Sequence, residues 1–178
     1  MSTYKDVILH GCAITRFTDE TYRENIEWRR KHNYEHGCIY NCTTSTPHSM
    51  RGIPIIFVIE MNITTKKVIG VGMITNKEYY KKKLHVYNDN QYNYHSYISK
   101  YRMEMDDFND QEKEIITRIL EKCLFTGYCH LIRGIGFSQL PHPLVHKTGR
   151  GTKRVETRYD ENFTLLFKRA FKRHFNIS

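Results

Sequence analysis

Apolar and polar positions alternate with changing periods along this 178-residue chain, and the changes of period divide it into elements. The apolar triplet Val7-Ile8-Leu9 predicts a first strand or a buried lead-in. Thr18-Asp19-Glu20-Thr21 carries helix-start chemistry, because a side-chain oxygen accepts the N–H groups that a first turn leaves free. Thr21 and Glu24 have the spacing of a capping box. A helix is therefore expected over 19–31, with Tyr22, Ile26 and Arg29 on one face, followed by loop at His36-Gly37 and over 43–47. Residues 53–61 are almost all apolar and β-branched, as in a strand covered on both faces. A polar turn at 62–66 leads to a second strand at 67–74, and the two together predict a hairpin. Gly70 and Gly72 share one face of that strand, where missing side chains allow a bend, a bulge or the close approach of a ligand.

Further strands are expected at 83–87 and 94–105, with an Asn/Asp-rich turn between them. The second of these alternates with period two. Ile115, Ile116, Ile119, Leu120, Cys123 and Leu124 then recur at helical spacing behind a cap at Asn109 or Asp110, and Gly127 is placed to end that helix. Residues 129–137 read as a strand closing on the glycine-bearing turn Arg133-Gly134-Ile135-Gly136. Residues 141–158 read as irregular and basic, and 160–175 as a helix with Phe163, Leu166, Phe167, Ala170 and Phe171 on its buried stripe. Strands flanked by helices predict one α+β domain over 1–178, built on a small curved sheet or a small β-barrel with about three helices.

Charge narrows the picture. Lys and Arg total 28 against 19 Asp and Glu, a formal net charge of +9, and the isoelectric point is near 9.3. Such a chain attracts polyanions, of which nucleic acid is the usual one, although surplus Lys also serves solubility and accompanies AT-rich coding. No apolar run reaches the roughly 18 residues that cross a bilayer, and the first residues lack secretory character, so membrane and secreted classes are set aside. Five cysteines, at 12, 38, 42, 123 and 129, form an odd set. Reduced thiols in an intracellular compartment, cytoplasm or nucleus, are expected, with a virion or an infected cell's cytoplasm as a further setting.

The order of helix 19–31, loop Ser45-Thr46-Pro47-His48, strand 54–61 and strand 68–74 resembles the PUA-like superfamily, which includes the EVE, YTH and ASCH domains. The resemblance covers about 15–105. It implies a PUA-like β-barrel that binds RNA or DNA and holds a modified base in an aromatic pocket. Ser45, Thr46, Gly70 and Gly72 would border that pocket, with Tyr97 and Trp28 as candidate rings. Where YTH domains carry a Trp before Ser-Thr, this chain has Cys42-Thr43-Thr44, so a methyl-adenine cage does not transfer residue by residue.

Several clusters carry candidate chemistry. The tract 146–154 combines Lys147, Arg150, Lys153 and Arg154 with two glycines, so that flexible backbone can gather cations around a phosphate. Lys168 and Arg169, on the outer face of the last helix, extend the patch. Tyr79, Tyr80, Tyr87, Tyr92, Tyr94, Tyr97 and Tyr101 interleave with Lys81, Lys82, Lys83 and Lys100, the composition of a single-strand stacking platform or of an ordinary half-wet sheet. His32, His36, Cys38 and Cys42 concentrate soft donors at a spacing that matches no zinc finger, and buried thiols are the better reading, so no metal or cofactor is assigned. His130, His142 and His146, with Cys129 or Cys42 as nucleophile, are the candidates for catalysis, without a recognised signature. The expectation is a nucleic-acid-binding domain, RNA favoured, without intrinsic catalysis. The alternatives are a nucleic-acid-processing enzyme using a His from 130–146, or a basic assembly protein of a large DNA virus.

Overall fold

The computed structural model describes residues 10–177, so the Val7–Leu9 triplet lies outside the described residues. Its elements run β1 (His10–Phe17), α1 (Asp19–Lys31), β2 (Cys38–Cys42), β3 (Ile55–Asn62), β4 (Lys67–Thr75), β5 (His95–Ser99) and β6 (Tyr101–Glu104). After them come α2 (Asp110–Ile115), a π-helical turn (Ile116–Glu121) and α3 (Lys122–Phe125), which form one continuous rod. The chain closes with β7 (Ser138–Gln139), β8 (Leu144–Thr148), β9 (Val155–Tyr159) and α4 (Phe163–Phe175). Three helical rods thus flank mixed sheets of five, two and two strands, an α+β arrangement. None of these sheets closes into a barrel, so the open small sheet is the form adopted. Among the described residues no helix is long and apolar enough to cross a membrane.

The main sheet has the order β6-β4-β3-β1-β7. β1 lies parallel to β3 from His10↔Ile55 to Phe17↔Asn62. β3 and β4 form the expected antiparallel hairpin, with a bulge between Glu60 and Met61. Because successive side chains point to opposite faces, the two faces meet different layers. Cys12, Ile14, Phe57, Ile59, Val71 and Met103 pack with Leu120, Leu124, Phe167 and Phe171 of the helical rods. Ala13, Ile56, Val58 and Ile74 pack instead with Ile39, Tyr40 and Tyr97 of the β2–β5 ribbon.

The second interface also holds a charge. Glu60 is 3% exposed, and Arg102 grips both of its carboxylate oxygens, Nε at 3.0 and 3.1 Å and Nη2 at 2.8 Å. The Tyr40 hydroxyl donates to Oε1 at 2.7 Å. Burial alone would push the Glu60 carboxyl up, but the Arg102 guanidinium outweighs it and holds the group below its ordinary value. Gly70 and Gly72 face this cluster. A Cβ at Gly72 would collide with the Tyr40 hydroxyl and lie 2.8 Å from Cys38 Sγ, and one at Gly70 would lie 2.9 Å from Arg102 Nη2. The paired glycines therefore make room for the protein's own buried network.

α1 is capped by Thr18 and Thr21, one turn earlier than the Thr21/Glu24 spacing predicts. Its fully buried residues are polar: Asn25 donates to Ile39 O at 2.8 Å, and Arg29 to Glu35 O at 3.0 Å and Gly37 O at 3.2 Å. Hydrogen bonds to the backbone around β2 thus hold this helix where an apolar stripe would in others. The long rod is capped by Asn109 and Glu112, and Gly127 follows it with φ +78°.

Breaking the buried pair leaves an uncompensated charge, so Arg102→Met is expected to destabilise the fold by about 3–5 kcal/mol. Gly72→Ala is expected to cost about 1–3 kcal/mol through overpacking. Because the folded carboxyl lies below its unfolded value of 4.5, its contribution is complete above that pH and is lost as pH falls through the folded value. Glu60→Gln should therefore flatten the acid limb of the stability profile, which denaturant unfolding between pH 7 and pH 2 would measure.

Candidate nucleic-acid interface

Residues 141–158, expected to be irregular, contain the β8–β9 hairpin, paired from Leu144↔Tyr159 to Thr148↔Val155. Leu144 is buried, with Tyr159 packed beside it, and this end fixes the hairpin to the core beside the helical rods. Two contacts tie β8 to the segment after α3: Thr126 Oγ1 lies 2.9 Å from His146 Nε2, and the Tyr128 N–H donates to Lys147 O at 2.9 Å. The loop turns on Gly149 and Gly151, both with positive φ, and a Cβ at Gly149 would overlap Lys153 O. That close approach explains a glycine in the middle of a cationic tract.

The arrangement places Tyr128, which is 63% exposed, beside the loop. Tyr128, Lys147, Arg150, Arg154, Val155 and Glu156 surround a hollow of about 640 Å³. From 147 to 158 there are five cations, Lys147, Arg150, Lys153, Arg154 and Arg158, and one carboxylate, Glu156. Lys147 at 3.0 Å and Arg158 at 2.9 Å share that carboxylate, and their hydrogen bonds hold its pKa below the usual range. Arg150, Lys153 and Arg154 make no ion pair among the described residues. The hairpin is thus an electropositive concavity with an exposed aromatic ring at its rim.

The other predicted cations sit elsewhere. Half-buried Lys168 lines a separate cavity of about 460 Å³ with His142, and that cavity shares no lining residue with the hairpin hollow. Arg169 is exposed on α4.

The six residues expected to form a base pocket do not enclose one. Gly70 and Gly72 face Arg102 and Tyr40, as above. Tyr97 is buried, with its hydroxyl accepting from Thr46 N at 3.1 Å. Ser45 and Thr46 border a depression with His48, Arg51 and Asn76. Trp28 stacks on His32 at 4.1 Å, on α1. The pocket is lost because the side-chain-free face it relied on is filled from β2.

The tyrosine stretch divides by face. Tyr87 and Tyr97 are buried, while Tyr80 and Tyr94 are 75% and 67% exposed, and Lys83 Nζ sits 5.4 Å from the Tyr94 ring centre. The expected strand at 83–87 is irregular, and the stretch 94–105 breaks into β5 and β6, which belong to different sheets. Residues 129–137 are likewise irregular, with only Ser138–Gln139 pairing to β1.

Two of the candidate histidines lie apart, and the β2 cysteines are enclosed. Cys38 and Cys42 are core residues of β2, and no group of three or more His, Cys, Asp or Glu is placed to hold a metal ion among the described residues. His142 lines the α4 cavity, whereas His146 is buried against Thr126, its pKa lowered by burial and by Lys122. Burial pushes the Cys12, Cys38 and Cys42 thiols up to about 12, so they stay protonated and unreactive at neutral pH.

Two cavities had no sequence signal strong enough to find them. One, of about 540 Å³, is walled by Tyr22, Arg29, Lys100 and Arg102 at the end of α1. The other lies between Arg16 and the Gly134–Gly136 turn, and that turn was its only trace in the sequence. Compared with protein-family models, curated proteins and solved structures, the chain matches none of them.

Thiol labelling tests the burial directly. With iodoacetamide at pH 7.5, the half-exposed Cys129 is expected to react while Cys12, Cys38 and Cys42 stay protected until the protein unfolds, as read by mass spectrometry of peptides.

Proposed function

We propose that this chain binds single-stranded nucleic acid through the β8–β9 hairpin, with RNA favoured and without intrinsic catalysis. The observation that carries this reading is the hollow of about 640 Å³ in which Arg150 and Arg154, without carboxylate partners among the described residues, stand beside the exposed Tyr128 ring. Unpaired guanidinium groups meet phosphates in a bidentate, charge-assisted manner, and an aromatic face stacks on any base. The formal charge of +9 adds a field that draws a polyanion in. The preference for RNA is carried over from the sequence resemblance to PUA-like domains, which covers about 15–105 and not the hairpin. Lys147 is engaged by Glu156 and contributes less than the two arginines. Such a partner fits an intracellular setting, cytoplasm or nucleus.

Each phosphate contact to a single strand contributes about 0.7 to the slope of log K against log salt. Arg150→Glu with Arg154→Glu is therefore expected to weaken binding of a 15-nucleotide RNA at least tenfold and to reduce that slope by more than one. Tyr128→Ala is expected to cost about 1–3 kcal/mol while leaving the slope unchanged. Fluorescence anisotropy across a salt series reads both. Unchanged affinity and slope in the double variant would overturn the proposal.

A further inference from the structure

α1 ends beside a cavity of about 540 Å³, which Arg29 and Arg30 line from the helix and Lys100 and Arg102 from the β5–β6 turn and β6. Arg29 is 4% exposed. Its Nε donates to Asn25 Oδ1 at 3.1 Å, and its Nη1 to Glu35 O at 3.0 Å and Gly37 O at 3.2 Å. All three acceptors are neutral. Nη2 makes no hydrogen bond among the described residues, and it is not among the enclosed side-chain atoms that lack a partner. That nitrogen therefore keeps accessible surface, and the hollow that Arg29 lines is this one.

A guanidinium withdrawn from water calls for an anion, and the fold does not supply one to Arg29. Glu60 feels the field of Arg29, but its oxygens are already taken by Arg102 and Tyr40. One buried carboxylate thus serves two buried guanidinium groups. Arg29, Arg30 and Lys100 make no ion pair among the described residues. Three carboxylates share the lining with them. Glu104 is answered by Arg102 at 3.1 Å, Asp107 accepts from Glu104 N at 2.8 Å, and Glu35 is exposed. The backbone holds the cations close together. Arg29 grips Gly37 O, a Cβ on Gly37 would lie 2.8 Å from Ser99 O, and Cys38 pairs with Ser99. Lys100 follows Ser99 directly, so it stands next to the loop that Arg29 holds.

Cations that reach one hollow from a helix and from a turn suit a group with several oxygens and a double charge better than a single carboxylate. The volume falls within the roughly 300–1,000 Å³ of small-molecule sites, and Tyr22, Ile26 and Phe175 add apolar wall. We infer that this cavity binds a phosphate monoester, its phosphate on Arg29 Nη2, Arg30 and Lys100 and its organic body against Tyr22 and Phe175. The site shares no lining residue with the hairpin hollow and does not rest on it.

The test uses the full chain at constant ionic strength. In a ¹H–¹⁵N NMR titration, inorganic phosphate is expected to shift the Arg29 Nε–H and the backbone amides of Gly37 and Lys100 saturably, whereas chloride leaves them in place. Adenosine 5′-monophosphate should bind at least threefold tighter than inorganic phosphate, and adenosine should not bind. Arg30→Gln with Lys100→Gln, at two exposed positions, should weaken phosphate at least fivefold. Arg29→Gln should abolish saturation. Because Arg29 also holds the 35–37 backbone, unfolding midpoints are read for both variants and the exposed pair decides the outcome. A 5′-phosphorylated RNA is compared with its 5′-hydroxyl form in the Arg150→Glu, Arg154→Glu background. Shifts of the same resonances that need the 5′-phosphate assign the monoester to a strand end, and their absence assigns it to a free small molecule. No saturable shift with 20 mM phosphate overturns the inference, as does unchanged affinity in the folded exposed-pair variant or equal binding of adenosine and its monophosphate. The hairpin variant should bind phosphate normally, so failure at one site is distinguishable from failure at the other.

Discussion

A carboxylate buried at the centre of a sheet is tolerated only if its charge is answered on the spot, and in this protein Glu60 sets that requirement. Its oxygens take three contacts from Arg102 and one from Tyr40. Meeting it determines what stands nearby. Arg102 must come from β6, so β6 pairs with β4; Tyr40 must come from β2, so the β2–β5 ribbon lies over that face of the sheet. Neither could reach if β4 carried side chains at 70 and 72. The glycine pair is thus a consequence of one electrostatic demand, Gly70 lying opposite Glu60 and Gly72 opposite Val58. Arg102 also reaches outward, to Glu104 at 3.1 Å and to the Tyr22 hydroxyl at 3.3 Å, linking this centre to α1.

The same accounting changes how the net charge is to be read. Arg29 and Arg102 are buried, Arg16 is half-buried, and Arg173 forms a two-point ion pair with Glu112 at 2.7 and 2.8 Å. All four fasten the fold, and Arg102 and Arg173, answered by Glu60 and Glu112, contribute little to the field outside. The solvent-facing excess belongs to groups such as the hairpin loop, where three neighbouring cations make no ion pair among the described residues. A composition-level charge says that a polyanion is attracted; only the sorting of paired from unpaired cations says where.

Elements whose signal is local were legible in the sequence. α1 has its cap and acidic first turn, the long rod has its Asn109 cap and helical apolar spacing, and β3–β4 has a continuous apolar run around a short turn. Elements that form because of distant partners were not. Cys38-Ile39-Tyr40-Asn41-Cys42 reads as a cluster of soft donors, yet it is a fully buried strand because β5 and the main sheet cover it. Residues 83–87 look like a strand, but Leu84, Val86 and Tyr87 are recruited singly, their backbone held by the side chains of Asn41 and Asn93. Gly70 and Gly72 marked a close approach, as expected, but the approaching atoms came from the chain itself. A vacancy in a sequence pattern does not say who fills it.

The irregular segment 128–136 lines two cavities, one at each end. Tyr128 rims the hairpin hollow, while Gly134, Ile135 and Gly136 wall the Arg16–Asn41 cavity. Eight residue steps separate Tyr128 from Gly136, which bounds their distance at about 29 Å even for a fully extended chain. The midpoint is pinned rather than free: the Leu131 N–H donates to Leu124 O and Leu131 O accepts from Arg16 Nε, both at 2.8 Å. Lacking a strand ladder, the segment draws its position from the end of α3 on one side and from a guanidinium on the other.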